Sequence, residues 1–432
     1  MKFRLAAAAA FLLFVALPAV SRAAAPAPVV TRNGGVTTIT QLDASAPLLH
    51  IVYVVRAGLD RQSLSQNGLA ALTAQTILKT PVNGVALQNA IAAAGGSISF
   101  AVDPGDVRFE IESLPQDADK IVALVRTAFG APVFDAATVR AARDRLTTRI
   151  AEDQQIALQV GMDMLSSTLA PSANTGLPQY GLPASLAQLG PTDVRTFFAT
   201  FYRRGGSYVS AAGRIDALSA GALDQLGAML PEGTTAAIDV KFPKLEGSSR
   251  QLVAQRDISA PWLIAQYSAP NVASKDFGPM LVLASFMRRT LADMADVPGV
   301  VSETYASRAV GAVYQYENPQ PDLVLYVNGG IGNPNRSFST ALSIASILAT
   351  TKLEGSIDEF KAMASGDFIS ATNTLEARAW LAVVYDENGA QPDYLSRTLD
   401  AISQTTAADL QRVARSYLSN PTIALVLPRE NS

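Results

Sequence analysis

Histidine and cysteine, on which most nucleophilic and metal-dependent chemistry relies, are almost absent from this chain. Cysteine is missing, and His50 is the only histidine among 432 residues. A catalytic histidine needs a positioned partner, whereas His50 stands in the β-rich run 48–53, where a partly buried strand position is expected. These counts exclude disulfides, thiolate nucleophiles and any multi-histidine metal centre, and a Ser-His-Asp triad would have to use His50.

A glycine-rich segment, residues 328–336, is a second candidate for chemistry. It lies between a predicted strand (323–327) and a predicted helix, a position where a helix N-terminus can bind phosphate. Its spacing is neither G-x-G-x-x-G nor that of a P-loop, and no lysine follows in the required place. A turn at the strand end is therefore the favoured interpretation.

Composition describes a globular chain of more than one domain. Hydrophobic residues make up 49% and charged residues 16%, so there is ample material for large cores. Net charge is -3 without a long basic run, so no nucleic-acid partner is expected.

The N-terminus has the three parts of a signal peptide, predicted over residues 1–24. Lys2 and Arg4 precede an apolar stretch, and Ser21-Arg22-Ala23 offers a small-x-small cleavage site. The apolar stretch is short for a membrane span, although an uncleaved anchor is the alternative. We therefore expect a periplasmic or otherwise secreted protein without a membrane segment after cleavage.

The remaining sequence repeats one order of strand-like and helix-like blocks. Each half closes with a capped helix and a strand, 192–212 in the first half and 406–427 in the second. We predict an α+β protein of two homologous domains, each a mainly antiparallel sheet covered by helices. The predicted boundaries are 25–231 and 250–432, joined by a linker at 232–249. Helices are predicted over segments that include 136–165 and 371–384.

Several short motifs occur in an order and spacing typical of a known family. They are Arg56-Ala57-Gly58, Gly68-Leu69-Ala70, Ala93–Ser97, Gln179–Pro183, Thr192-Asp193-Val194 with Tyr202, and Ala211–Asp216. With them the chain resembles the pitrilysin/insulinase-type zinc peptidases, the inverzincins with an H-x-x-E-H helix. This resemblance covers nearly all of the mature chain. It implies two homologous α+β domains that form half of a clam-shell.

The zinc motif of that family is missing here. The motif follows Gly-Leu-Ala in shorter bacterial members, and the corresponding positions hold Ala71, Ala74 and Gln75. Glu152 falls near the place of the family's downstream glutamate ligand, but one carboxylate cannot hold zinc. We therefore expect Glu152 to be a solvated charge on a helix face, with no cofactor in this chain.

The resemblance also implies a role for a member without zinc. Some members are two-subunit peptidases in which a silent subunit supplies an arginine and a tyrosine that hold substrate. The matching segment here, 302–314, makes Arg308 and Tyr314 the candidate substrate-binding pair, with Arg288 or Arg289 and Tyr305 as the alternative. Both side-chain types donate hydrogen bonds that suit a peptide carbonyl or a developing oxyanion.

The leading hypothesis is therefore a non-catalytic subunit of a two-subunit zinc metallopeptidase. Its partners would be a homologous subunit that carries the zinc and an extended peptide substrate. The alternative is a stand-alone periplasmic peptide-binding or scaffold protein derived from the peptidase fold. An enzyme that uses another site is a third, weaker hypothesis, because the chain lacks cysteine and has one histidine.

Overall fold

The computed structural model describes residues 27–169, 175–235, 250–294, 310–330, 334–350, 357–390 and 393–429. The predicted signal peptide and most of the predicted linker lie outside these residues. The strands are β1 (Val29–Asn33), β2 (Val36–Leu42), β3 (Leu49–Val55), β4 (Pro81–Val82), β5 (Val85–Ala86), β6 (Ser97–Val102), β7 (Val107–Ser113), β8 (Ser207–Gly213), β9 (Arg250–Arg256), β10 (Trp262–Ser268), β11 (Val310–Gln315), β12 (Asp322–Asn328) and β13 (Thr422–Pro428).

The helices lie between groups of these strands. They are α1 (Leu69–Lys79), α2 (Leu87–Ala93), α3 (Ala118–Gly130), α4 (Ala136–Asp153), α5 (Ala157–Leu169), α6 (Pro183–Leu186), α7 (Pro191–Phe201), α8 (Ala222–Gly227), α9 (Phe277–Met294), α10 (Pro334–Thr350), α11 (Ile357–Ala371), α12 (Leu375–Glu387), α13 (Tyr394–Gln404) and α14 (Ala407–Tyr417). None of the helices in the described ranges is long and apolar enough to cross a membrane.

Two sheets with the same connectivity form the framework. The first has the order β1-β2-β8-β3-β7-β6, and the second has the order β9-β13-β10-β12-β11. In each sheet one pair is parallel, β2 with β8 and β9 with β13, and the remaining pairs are antiparallel. Apart from β1, each strand of one sheet has a counterpart at the same place in the other. The predicted α+β class with two mainly antiparallel sheets is confirmed, whereas the domain boundaries remain predictions.

Residue patterns in the strands explain which faces are covered. All seven residues of β3 are buried, as expected for an apolar strand at the centre of a sheet. In β7 the buried Val107, Phe109 and Ile111 alternate with half-buried charged residues. The buried side of β7 faces the helices of the first core, which α1, α3 and α4 build. The charged side faces the second half of the chain.

The two halves exchange helices across their sheets. Helix α5 comes from the first half but packs on the second sheet, where its Val160 and Leu165 are buried with Ile264. Helix α12 comes from the second half and packs on β3 and β8 of the first sheet. At Gly161 a Cβ atom would lie 2.4 Å from Ile264 Cδ1, so glycine permits the close approach of α5. Each sheet is therefore covered on one face by its own half and on the other face by a helix from the other half.

The helix predicted over 136–165 is wrong in one respect, and the packing of α5 on the second sheet explains the difference. The sequence predicts a single helix over 136–165, but the structure has two helices separated at residues 154–156. The break contains neither proline nor glycine. Because α4 packs on α1 and α5 packs on the second sheet, the chain must change direction between them. Tertiary packing overrides the local helical preference at this point.

Candidate functional site

The positions of the lost zinc motif lie on α1. This helix begins after Gly68, which has a left-handed φ of 95°, and it packs against α4 and the edge strand β6. Ala71, Ala74 and Gln75 are all buried. Two methyl groups and one amide offer no ligand that zinc prefers, so the residues present do not fit a zinc ion. In the described ranges no group of three or more His, Cys, Asp or Glu residues could hold a metal ion.

Glu152, near the family's downstream glutamate ligand, lies in the last turn of α4 and is exposed. This placement agrees with a solvated charge on a helix face. His50 lies in β3 and is buried, as expected for a strand position, and burial lowers its pKa. Its two ring nitrogens have no hydrogen-bond partner among the described residues. Neither residue is placed to activate a water molecule.

Two of the sequence motifs are brought into direct contact. Gly68 and Gly181 both adopt positive φ, and a Cβ on Gly181 would lie 2.5 Å from the Cα of Gly68. Only glycine allows two backbones to approach this closely in that conformation. The segment before α1 and the segment 179–183 therefore fix one another at the start of α1.

The motif Arg56-Ala57-Gly58 docks the end of β3 on the turn between β6 and β7. Backbone N–H groups of Gly58 and Leu59 donate to the carbonyls of Gly105 and Asp103 at 3.3 and 3.1 Å. A Cβ on Gly58 would lie 2.3 Å from the backbone nitrogen of Asp106. Glycine is therefore required at position 58 because a side chain would collide with the facing backbone, and not because the segment is flexible.

Replacing Gly58 by alanine is expected to lower the free energy of unfolding by about 1–3 kcal/mol, because the methyl group meets a backbone that cannot move independently. Gly105→Ala is the matched control on the facing turn, where a Cβ would meet no atom within 4 Å. Its effect should stay within about 0.5 kcal/mol. Urea denaturation of both variants measures the difference, and equal stability would contradict the steric argument.

Arg56 of the same motif links three elements. Its guanidinium contacts the carboxylates of Asp106 at 3.0 Å and Glu387 at 2.5 Å, and it donates to the carbonyl of Gly206. Glu387 belongs to α12, the helix that the second half contributes to the first sheet. Burial raises the pKa of Asp106 and of Glu387, and the charge of Arg56 opposes both shifts. Arg56 thus compensates the buried carboxylate of Asp106 and the partly exposed carboxylate of Glu387 at the junction of the halves.

The edge strand β6 offers a surface for an extended chain. It pairs with β7 on one side only and has no strand partner on the other side among the described residues. Its outer positions Ser97 and Ser99 are exposed, and Phe100 packs edge-to-face with Tyr180 at 6.2 Å. Unpaired backbone groups at a sheet edge can hydrogen-bond an added peptide strand.

Of the candidate substrate-binding pair, Arg308 lies outside the described residues, and so does the alternative Tyr305. Tyr314 is in β11, buried against Phe277, and its hydroxyl donates to the carbonyl of Pro270. The alternative arginines lie on α9, exposed, where Arg288 pairs with Asp367 and Arg289 pairs with Asp293. The substrate-binding role of Arg308 and Tyr314 stays a prediction, and it requires that the Tyr314 hydroxyl leave its present partner.

The glycine-rich segment begins as the sequence favoured, with a turn at the end of β12. The side chain of Asn328 accepts a hydrogen bond from the N–H of Gly330 at 2.9 Å. Helix α10 begins at Pro334, and residues 331–333 between them lie outside the described ranges.

A pocket of about 300 Å³ was not expected from the sequence. It lies where α5, the β6–β7 turn and the β11–β12 turn meet, and its wall includes Asp163, Gln266 and Asp322. These residues are distant in sequence, and only the packing of α5 on the second sheet brings them together. The available signal was an acidic residue inside each of two otherwise apolar stretches, 156–165 and 321–327.

Proteins similar to this chain were found by comparison of structures. No family model matches the sequence, and no curated protein matches it. A protease from Helicobacter pylori superposes with a TM-score of 0.77 and 15% identity, covering 94% of this chain and 100% of that chain. The peptidase M16 inactive domain from Pseudomonas fluorescens gives a TM-score of 0.76 and 14% identity, covering 94% and 99%. A chain from complex III2 of Candida albicans gives 0.71 and 13%, covering 93% and 95%.

At these low identities the similarity establishes the fold. The chain has the pitrilysin-like, two-domain α+β fold of the peptidase M16 inactive domain, with 94% of its length covered. One of the similar structures is an inactive domain, and another belongs to a multi-chain complex.

Proposed function

We propose that this chain is the non-catalytic subunit of a two-subunit zinc metallopeptidase in the periplasm or another exported compartment. One observation carries the proposal: the fold around the zinc helix is intact, while Ala71, Ala74 and Gln75 replace every residue of the motif. The similarity to a peptidase M16 inactive domain supports it. In this proposal a zinc-bearing homologue supplies the catalyst, and the two subunits close as the halves of a clam-shell.

The proposed contribution of this chain is to enclose and position an extended peptide. The unpaired edge of β6 lies beside α1, so a peptide added there would run past the former zinc helix. Main-chain hydrogen bonds along an edge strand are independent of peptide sequence. Arg308 and Tyr314 belong to the same proposal as side chains that hold the peptide near the zinc of the partner.

The test is reconstitution with a histidine-bearing homologue from the same organism. We expect the chain alone to hold no stoichiometric zinc and to cleave no peptide, because it has no catalyst. Mixing the two subunits should give peptide hydrolysis well above that of the homologue alone. Elemental analysis, gel filtration and a fluorogenic peptide assay measure zinc content, assembly and activity.

The controls separate the two leading hypotheses. A partner whose motif glutamate is replaced by glutamine should assemble but not cleave. A peptide with N-methylated backbone amides should be a poor substrate, because it cannot donate to the β6 edge. A stable monomer that binds peptide without any homologue would favour the stand-alone binding protein. Tight zinc binding and hydrolysis by the chain alone would overturn both hypotheses.

A further inference from the structure

The pocket beside α5 combines a buried carboxylate, Asp322, and a half-buried one, Asp163, with a described wall that carries no positively charged side chain. Its described lining includes Asp163 and Asp322 and no lysine, arginine or histidine. The other polar groups of the lining are amides and hydroxyls. Buried carboxylates in proteins are normally paired with a cation or a metal ion. The described lining of this pocket therefore supplies no cation to pair with its carboxylates.

Asp322 is the clearer example of a buried carboxylate without a cationic partner among the described residues. It is 1% exposed, and its hydrogen-bond donors among the described residues are the neutral side-chain amides of Gln266 and Asn318 and its own backbone N–H. No described lysine or arginine forms an ion pair with it. Burial raises its pKa to about 6, as expected for a carboxylate without a compensating charge.

Asp163 faces the same pocket from α5. It accepts a hydrogen bond from the side chain of Gln159 at 2.8 Å and has no cationic partner in the described ranges. Burial also raises its pKa, and the nearby charge of Asp153 adds to that shift. Two carboxylates from opposite halves of the chain thus line one cavity, and neither pairs with a lysine, arginine or histidine of the described residues.

Gln266 gives an independent sign of an absent ligand. Its side chain is 3% exposed. It lines the pocket from β10, together with Asp163 on α5 and Asp322 on β12. Its Nε2 atom donates to Asp322, but its Oε1 atom has no hydrogen-bond partner among the described residues. A buried acceptor left without a donor is rare in native proteins.

We infer that this pocket binds an organic cation, a guanidinium or alkylammonium group whose N–H donors meet Asp163, Asp322 and the amide oxygens of the wall. A volume of about 300 Å³ far exceeds the ~30 Å³ share of one water molecule, so the pocket fits an organic group rather than a bare ion. The described residues also contain no cluster of three or more metal-ligating side chains. The cation can belong to a free small molecule or to a basic side chain of a peptide.

Isothermal titration calorimetry of the mature chain tests this site with two probes. Agmatine presents a free guanidinium, and the blocked peptide Ac-Ala-Arg-Ala-amide presents the same group on a peptide. We expect at least one probe to bind and the neutral citrulline peptide to bind at least about tenfold more weakly. Binding of the peptide alone identifies a basic side chain as the ligand, and binding of agmatine alone identifies a free small molecule. Binding of both probes supports a site that recognises the guanidinium itself.

The variants Asp163→Asn and Asp322→Asn should each weaken binding by at least about tenfold. Asp144→Asn on α4 makes the same change of charge at an exposed position outside the pocket and should bind like wild type. Thermal melting checks that each variant is folded, and Asp163→Asn serves if Asp322→Asn does not fold. Absence of binding at millimolar probe, unchanged binding by folded Asp163→Asn, or tighter binding of calcium chloride than of either probe would overturn the inference.

Discussion

Arg56→Met is expected to lower the free energy of unfolding by about 3–5 kcal/mol, the usual cost of removing one partner from a buried ion pair. Methionine keeps much of the aliphatic volume but leaves Asp106 and Glu387 without their shared cation. The Asp106 side chain is 9% exposed, so water cannot replace the guanidinium there, whereas the Glu387 side chain is 24% exposed and contributes less to the loss. The loss falls at the junction of the first sheet with α12.

Urea denaturation followed by circular dichroism measures this effect. Arg397→Met is the matched control, because Arg397 pairs with Asp393 on the surface of α13, and such a pair contributes at most about 0.5 kcal/mol. Adding Asp106→Asn and Glu387→Gln to Arg56→Met should recover much of the loss, since it removes the unpaired charges. If this triple variant is as unstable as Arg56→Met alone, lost packing and not charge explains the effect.

Asp322→Asn is expected to change how stability depends on pH. The folded-state pKa of Asp322 is about 6 and the unfolded reference is 3.8, so the folded protein holds this proton more tightly. That stabilisation is complete below about pH 4 and is lost as pH rises through 6. Asparagine cannot titrate. The unfolding free energy of the variant relative to wild type should therefore rise by about 3 kcal/mol between about pH 4 and pH 8.

The measurement is urea denaturation of both proteins at several pH values in a phosphate buffer that contains no amine. The difference between variant and wild type isolates Asp322, because other titrating groups are common to both. Asp144→Asn, at an exposed position of α4, should follow the wild-type curve. A difference that does not change with pH would show that the Asp322 carboxyl is compensated by a charge.

Several glycines of the sequence motifs lie where two backbone segments touch, and these contacts require glycine. Gly58 lies against the backbone of Asp106, and Gly68 lies against Gly181, so glycine is required at these positions whatever the surrounding residues. The strand-like and helix-like blocks recur in the same order along both halves, and the two sheets share one strand order apart from β1. The absence of zinc-motif residues at positions 71, 74 and 75 was also visible directly in the sequence.

Side-chain environments could not be predicted in the same way. The type of Tyr314 and its place in a motif predict a substrate contact, but β11 places its side chain in the core of the second half, where its hydroxyl donates to the carbonyl of Pro270. Its burial depends on which face of the strand meets α9, a property of the register and not of the tyrosine. Arg56 was recognised as a motif residue, but its link to Glu387 joins positions 331 residues apart.

By itself the sequence determined the composition of the site, the number of related halves and the fold class, because these depend on residue types and their local periodicity. Only the tertiary structure decided that α5 and α12 exchange between the sheets, since helical periodicity shows an apolar face but not the surface that covers it. The same packing of α5 forms the proposed cation pocket. Asp163 and Asp322 share one cavity because α5 crosses to the second sheet, and no local pattern encodes that crossing.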